Sequence, residues 1–306
     1  MGLYAPGMTN APVRYRSDDE DSARWIGFPF REGDIVISTR SKSGTTWMQM
    51  ICALLVFRTP DLPARISELS PWLDWLVTPR DEVFALLAAQ THRRFIKTHT
   101  PLDGVPIDPR ATYVVVARHP LDVAVSLYHQ GDNIDRDVWS ARIGKPAPTE
   151  PPSPRPAARE WLLAWIDEDV EPREQLDSLP GVMWHLSDAW ARRQQPNVRL
   201  VHYGALSQYL EREMRRLAAG LEIDVAEESW PGLVDAATFE RMRANAEVAL
   251  PAPAGIIKDA RVFFRRGGSG AGRDLLTEDE VARYEARARR LAPPDLLAWL
   301  HAESFE

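Results

Sequence analysis

Between Arg40 and Trp47 the chain reads Arg-Ser-Lys-Ser-Gly-Thr-Thr-Trp, one lysine among small hydroxylic residues and a single glycine. This segment offers hydroxyls, the cationic Lys42 and the free backbone N–H groups of a helix start, which together favour an anion. Serine and threonine alone would also suit a well-capped helix start. A cation beside the positive end of a helix is locally unfavourable unless an anion lies between them, and that counts against a purely structural role for Lys42. Arg265-Arg266-Gly267-Gly268-Ser269-Gly270 marks a second anion site, in which two arginines run into open, glycine-rich backbone. His99 follows the short run Phe95-Ile96-Lys97. At the carboxyl end of a strand in an open α/β sheet, such a histidine can reach a reacting group.

The elements that must position these residues read from periodicity. Ile35-Val36-Ile37 is a buried strand, and Met48, Met50, Ile51, Leu54 and Leu55 recur at helical spacing behind it, so the Lys42 segment is the turn of a strand–turn–helix unit. Tyr113 to Ala117 reads as a central parallel strand, after which Pro120 fits a first helical turn and Leu121, Val125 and Tyr128 share one face. Val198 to Tyr203 is a further strand, ended by Tyr203. Helices are expected over 81–90, 160–166, 181–195, 208–221, 225–234, 238–249, 277–291 and 295–302, the penultimate one opened by the capping-box pattern Thr277 to Glu280. The prediction is a single α/β domain over 33–306, with a central parallel sheet flanked by helices. A polar segment, 1–32, precedes it; its acid run Asp18 to Asp21 is expected to be solvated and to supply little chemistry. From 131 to 159 the chain is charged and proline-rich, with six prolines between Pro146 and Pro156, so no regular element is expected there and an acceptor-site lid is the functional alternative to disorder. Trp72 and Trp75, in a loop, either line an acceptor pocket or cover the core.

Composition narrows the function class. With 306 residues, 44% of them hydrophobic, the chain can bury a sizeable core, and a net charge of −7 argues against a protein that mainly grips nucleic acid. An anionic ligand would therefore need local cations. The single cysteine, Cys52, lies in an apolar helix and suits a buried thiol, not a disulfide framework. Residues 1–10 lack the basic and apolar regions of a secretory signal, and the apolar runs fall short of the ~20 residues of a membrane helix. The expectation is a cytoplasmic chain without a transmembrane segment, with peripheral membrane contact left open. None of the seven histidines has metal-site spacing, so no metal is expected.

Nucleotide P-loops place lysine after a second glycine, whereas Lys42 precedes the only glycine of its loop. The order Lys-Ser-Gly-Thr-Thr-Trp instead resembles the phosphosulfate loop of sulfotransferases that use 3′-phosphoadenosine 5′-phosphosulfate (PAPS). Lys97-Thr-His-Thr-Pro-Leu102, the Arg118…Ser126 pair and Phe263-Phe-Arg-Arg-Gly-Gly268 are similar to further segments of that family, in the family's order. Longer runs, from His92 to Gly104 and from Leu291 to Trp299, look like mycobacterial and related actinobacterial glycolipid sulfotransferases.

The resemblance implies a P-loop-like phosphosulfate-binding loop and transfer of a sulfuryl group from PAPS to a hydroxyl of a small-molecule or glycolipid acceptor, leaving PAP. His99 would be the general base, Lys42 would stabilise the leaving phosphate and Lys97 would assist. Arg40, Ser41, Lys42, Ser43, Gly44, Thr45 and Thr46 would cradle the phosphosulfate. Trp47, Tyr203, Thr238 and Phe239 would lie about the adenine, with Arg118, Ser126, Arg265, Arg266 and Gly267 at the 3′-phosphate and Phe264 also among the cofactor-binding residues. The alternatives are an atypical nucleotide or sugar kinase, for which neither a Walker lysine nor a magnesium carboxylate is evident, and a nucleotide-binding module without activity, against which Lys42 and His99 argue. One departure stands out: the family's Gly-Asp-Trp is replaced by Gly270-Ala271-Gly272. With few side chains to pack, Gly267 to Arg273 is expected to be mobile until nucleotide binds.

Overall fold

The computed structural model describes residues 11–146, 154–250 and 255–305. The leading residues 1–10 and the middle of the proline cluster, 147–153, lie outside the described residues. Four strands, β1 (Ile35–Ser38), β2 (Phe95–Thr98), β3 (Thr112–Ala117) and β4 (Val198–His202), form a parallel sheet in the order β2-β1-β3-β4. Successive side chains point to opposite faces. Ile35 and Ile37 join Val114 and Val116 in one core, while Val36 joins Tyr113 and Val115 in the other. Burial on both faces is why these strands read as unbroken apolar runs.

Helices cover both faces. Between β1 and β2 lie α1 (Thr45–Phe57), α2 (Ile66–Leu69) and α3 (Arg80–Ala89); between β3 and β4 lie α4 (Pro120–Asn133), α5 (Arg136–Arg142), α6 (Ala158–Asp167) and α7 (Leu179–Ala191). After β4 come α8 (Tyr203–Gln208), α9 (Leu210–Gly220), α10 (Trp230–Ala236), α11 (Phe239–Ala244), α12 (Ala246–Ala249), α13 (Ala260–Phe263), α14 (Glu278–Leu291) and α15 (Pro294–Leu300). From β1 the chain moves to β2 on one side and later to β3 on the other. The strand order therefore reverses between β1 and β3, and the crevice beyond their carboxyl ends is where such sheets bind ligands. Below the sheet's opposite end, Arg94 grips Asp34 through Nε–Oδ1 at 2.8 Å and a second contact to Oδ2, with both residues almost fully buried.

Several expected boundaries shift. The segment 131–159 is not uniformly irregular: α4 runs on to Asn133, and α5 follows with Asp135 capping it by accepting from Val138 N–H at 3.0 Å. The prolines begin only at Pro146, so nothing upstream removes a helical donor. Tyr203 does not end a strand but opens α8, because the His202 side chain caps that helix at Gly204 N–H. The expected helix over 208–221 breaks at Tyr209 into α8 and α9, and the one over 238–249 breaks at Asn245. The capping box at Thr277 and Glu280 is present in full.

Candidate active site

The turn after β1 is set by two residues with positive φ. Lys42 sits at φ 64°, a conformation costly for a lysine, and Gly44 at φ 105°. A side chain at position 44 would lie 2.8 Å from the Tyr203 ring, so only glycine lets the turn pass beneath β4's end. The turn opens into a cavity of about 510 Å³ at the switch point. Ser41, Lys42, Thr45 and Thr46 of the turn line it, together with Trp47, Tyr203 and Phe239 and with Arg118, Ser126, Arg265, Arg266 and Gly267.

The lining is rich in positive charge. Burial, reinforced by Arg118, Lys97 and Arg265, lowers the Lys42 ammonium to about 7. Its Nζ lies 4.1 Å from the Phe263 ring centroid. Arg118 stands over the Tyr203 ring and gives one Nη to Lys42 O at 3.1 Å and the other to Gly268 O at 2.8 Å. Its Nε is buried with no hydrogen-bond partner among the described residues. Trp47 is held edge-on to Tyr203 by a 2.8 Å bond from its Nε1–H to Ala237 O. Phe264 is buried and packs edge-on to Phe239.

His99 lines the same cavity. Its Nδ1 meets Thr39 O, and since a carbonyl can only accept, Nδ1 carries the proton and Nε2 keeps its lone pair. Burial, with Lys97 and Arg40 adding repulsion, pushes the imidazole well below its usual range, so the ring is neutral at physiological pH. Lys97, lowered to about 7 chiefly by burial, rests 3.6 Å from the Trp72 ring centroid, and Trp72 stacks on Trp75. Both tryptophans therefore line the cavity. Asp74, unnoticed between them, accepts from the Thr98 and Thr100 hydroxyls and so fixes the strand end that carries Lys97 and His99.

Of the expected cofactor residues, Arg40 lines the cavity with its guanidinium already engaged, and Thr238 and Ser43 are absent from the lining. The Arg40 guanidinium is engaged by His99 O, by Asp177 at 2.7 Å and by Glu20 at 3.8 Å, on the His99 side of the cavity. The Thr238 hydroxyl caps α11, accepting from Arg241 N–H and donating to Asp235 O. Ser43 is buried in the turn and is absent from the lining, unlike Ser41 and Thr46. Conversely, the acid run is not simply solvated: Asp19 and Glu20 line the His99 end, where burial raises both carboxyls. The strand-like bridge of Glu20 to Trp75 holds them there. From the segment 131–159, Gly131, Ile134 and Trp139 reach the same wall.

A cation-lined turn after β1, a neutral histidine after β2 and an arginine after β3 all line one switch-point cavity, an arrangement that can accommodate an anionic ligand beside a proton acceptor. A sulfotransferase domain is matched over residues 32–292, and the chain belongs to the sulfotransferase family. It is 41% identical over 308 residues to a glycolipid sulfotransferase of Mycobacterium bovis, covering 94% of each chain, and the same holds for one of Mycobacterium tuberculosis. In structure it is similar to a retinol dehydratase solved with retinol and PAP (TM-score 0.64, 21% identity, 93% of this chain and 86% of that one). A mouse sulfotransferase solved with PAP matches with TM-score 0.64 at 20% identity over 91% of each chain. These two establish the fold. No helix among the described residues is long and apolar enough to cross a membrane.

Proposed function

We propose that the protein moves the sulfuryl group of PAPS to a hydroxyl of an amphiphilic, glycolipid-type acceptor. The observation that carries this reading is a single cavity lined both by the crowded cations Lys42, Arg118 and Arg265 and by a neutral imidazole whose Nε2 keeps its lone pair. The orphaned Arg118 Nε and the repelled Lys42 ammonium fit a ligand that brings phosphate oxygens. Lys42, Ser41, Thr45 and Thr46 would hold the phosphosulfate, and Arg118, Ser126, Arg265, Arg266 and Gly267 the 3′-phosphate. Trp47 would stack on the adenine, worth ~1–3 kcal/mol by analogy with bases on aromatic platforms.

In the transfer, the acceptor oxygen forms a bond to sulfur as the bond from sulfur to the 5′-phosphate oxygen breaks. His99 Nε2 takes the hydroxyl proton, and Lys42 neutralises charge on the departing phosphate oxygen. Positioning and charge stabilisation dominate such loose transfers. On the acceptor side, Trp72, Trp75, Trp139, Ile134 and Ile256 supply an apolar wall, and Asp19, Glu20, Gln175 and Asp177 a polar one. Both walls meet at His99, which suits a molecule with hydroxyls at one end and hydrocarbon at the other; the named glycolipid sulfotransferase relatives point the same way. Incubation with radiolabelled PAPS and a panel of glycolipids, simple sugars and phenols tests the reading. Label appearing preferentially in glycolipids supports it, and label transferred to no acceptor overturns it.

A further inference from the structure

The family's aspartate and tryptophan are missing after Gly270, yet the segment that should have been loosened is tied down from another direction. Asp122, in the first turn of α4 and 3% exposed, points both carboxylate oxygens at it: Gly270 N–H donates to Oδ2 at 2.9 Å and Gly272 N–H to Oδ1 at 2.9 Å. A side chain on Gly272 would meet the Leu121 backbone at 2.4 Å, so the segment lies flush against α4 and position 272 has no room for a tryptophan. The path continues from the clasped end: Gly268 O accepts from Arg118, whose other Nη donates to Lys42 O in the phosphosulfate turn.

We infer that Asp122 is a positioning residue that presets the Arg265–Gly268 flap for the 3′-phosphate, doing from α4 what a side-chain clasp would otherwise do from the flap itself. It touches no reacting atom. Its two bonds fix the flap end, the flap carbonyl at Gly268 fixes Arg118, and Arg118 reaches the turn that carries Lys42. The inference rests on the PAPS reading, since it gives the flap's ligand as a 3′-phosphate.

Asp122→Asn tests it. An amide keeps the shape and one acceptor but turns an N–H toward a backbone N–H, so one of two charge-assisted bonds is replaced by a clash of donors. Calorimetric affinity for PAP should fall about 10- to 100-fold, while that for AMP, which lacks the 3′-phosphate, should change by less than about threefold. Hydrogen exchange should rise selectively at Gly270 and Gly272, and KM for PAPS should rise more than kcat falls. Gly272→Ala is the second variant, because its Cβ must push the flap off α4 without touching the carboxylate; it should show the same PAP-selective loss. If both folded variants keep the wild-type ratio of PAP to AMP affinity, or lose both ligands equally, the inference is overturned. Should the wild-type protein itself fail to prefer PAP over AMP, it is the PAPS reading that fails.

Discussion

If Lys42 is held near a pKa of about 7 by burial and by Arg118, Lys97 and Arg265, then binding an anion should return its proton. An opposite charge ~4 Å away at an effective dielectric of about 20 contributes about 4 kcal/mol, or about three pKa units. That is enough to bring Lys42 back toward its ordinary 10.5. At pH 8 a group of pKa about 7 is roughly one-tenth protonated, so PAP binding should draw in about 0.9 proton, falling to about 0.5 at pH 7. The ligand's phosphates are already ionised at pH 8, with second pKa values near ~6, and contribute little. The sign follows: the complex holds the proton more tightly than the free protein, so affinity is greatest below pH 7 and declines by up to about tenfold per unit above it. Titration calorimetry at pH 8 in HEPES and in Tris, whose ionisation enthalpies differ, reads the uptake directly. Lys97 also titrates near 7 in the same cavity, so the measurement is paired with Lys42→Met, which should remove most of the uptake. Identical binding enthalpies in the two buffers, or undiminished uptake in Lys42→Met, would refute the reasoning.

His99→Ala should lower turnover about 10²- to 10⁴-fold while leaving PAP affinity nearly intact, and an equal loss of affinity would make the residue structural instead of a base. Arg118→Ala and Arg265→Ala should each weaken PAP far more than AMP, since a charge-assisted bond is worth roughly 1.5–3 kcal/mol; comparable losses for the two nucleotides in calorimetry would remove these arginines from the 3′-phosphate. Asp34→Ala should cost about 3–5 kcal/mol in urea unfolding, because it strands the Arg94 guanidinium, only 2% exposed, without its partner. A loss under about 1 kcal/mol would show that Arg94 finds a replacement acceptor.

What could be read in the chain was local. Ile35 to Leu55 carries strand, turn and helix within one window, and the apolar run at 113–117 reads as a central parallel strand because both its faces are buried. Where a side chain's partner is remote in sequence, the local pattern misleads. Arg40 sits inside the phosphosulfate signature, yet its partners are Asp177 and Glu20, 137 and 20 positions away, so adjacency to Lys42 says nothing of where it points. Asp122 looks like an ordinary acid in a first helical turn, favourable there through the helix dipole alone, and only Gly270 and Gly272 N–H, 148 and 150 positions on, reveal its use. The same contact gives the flap a tie that does not involve the nucleotide. Asp74, beside two conspicuous tryptophans, shows its role only once Thr98 and Thr100 come to it.

His99 is held by two residues, Thr39 and Arg40, that lead directly into the Lys42 turn. Thr39 O fixes the His99 tautomer, and Arg40 holds the His99 carbonyl. Two residues later Lys42 enters the strained turn that ends at Gly44. On the proposed reading, the residues that follow β1 therefore link the segment that holds His99 to the turn that carries Lys42. That arrangement accounts for the placement of Arg40. An arginine turned toward the phosphates would add one more cation to an end where Lys42 already loses its proton near neutrality, whereas turned toward His99 it anchors the base and adds to the repulsion that keeps the imidazole neutral.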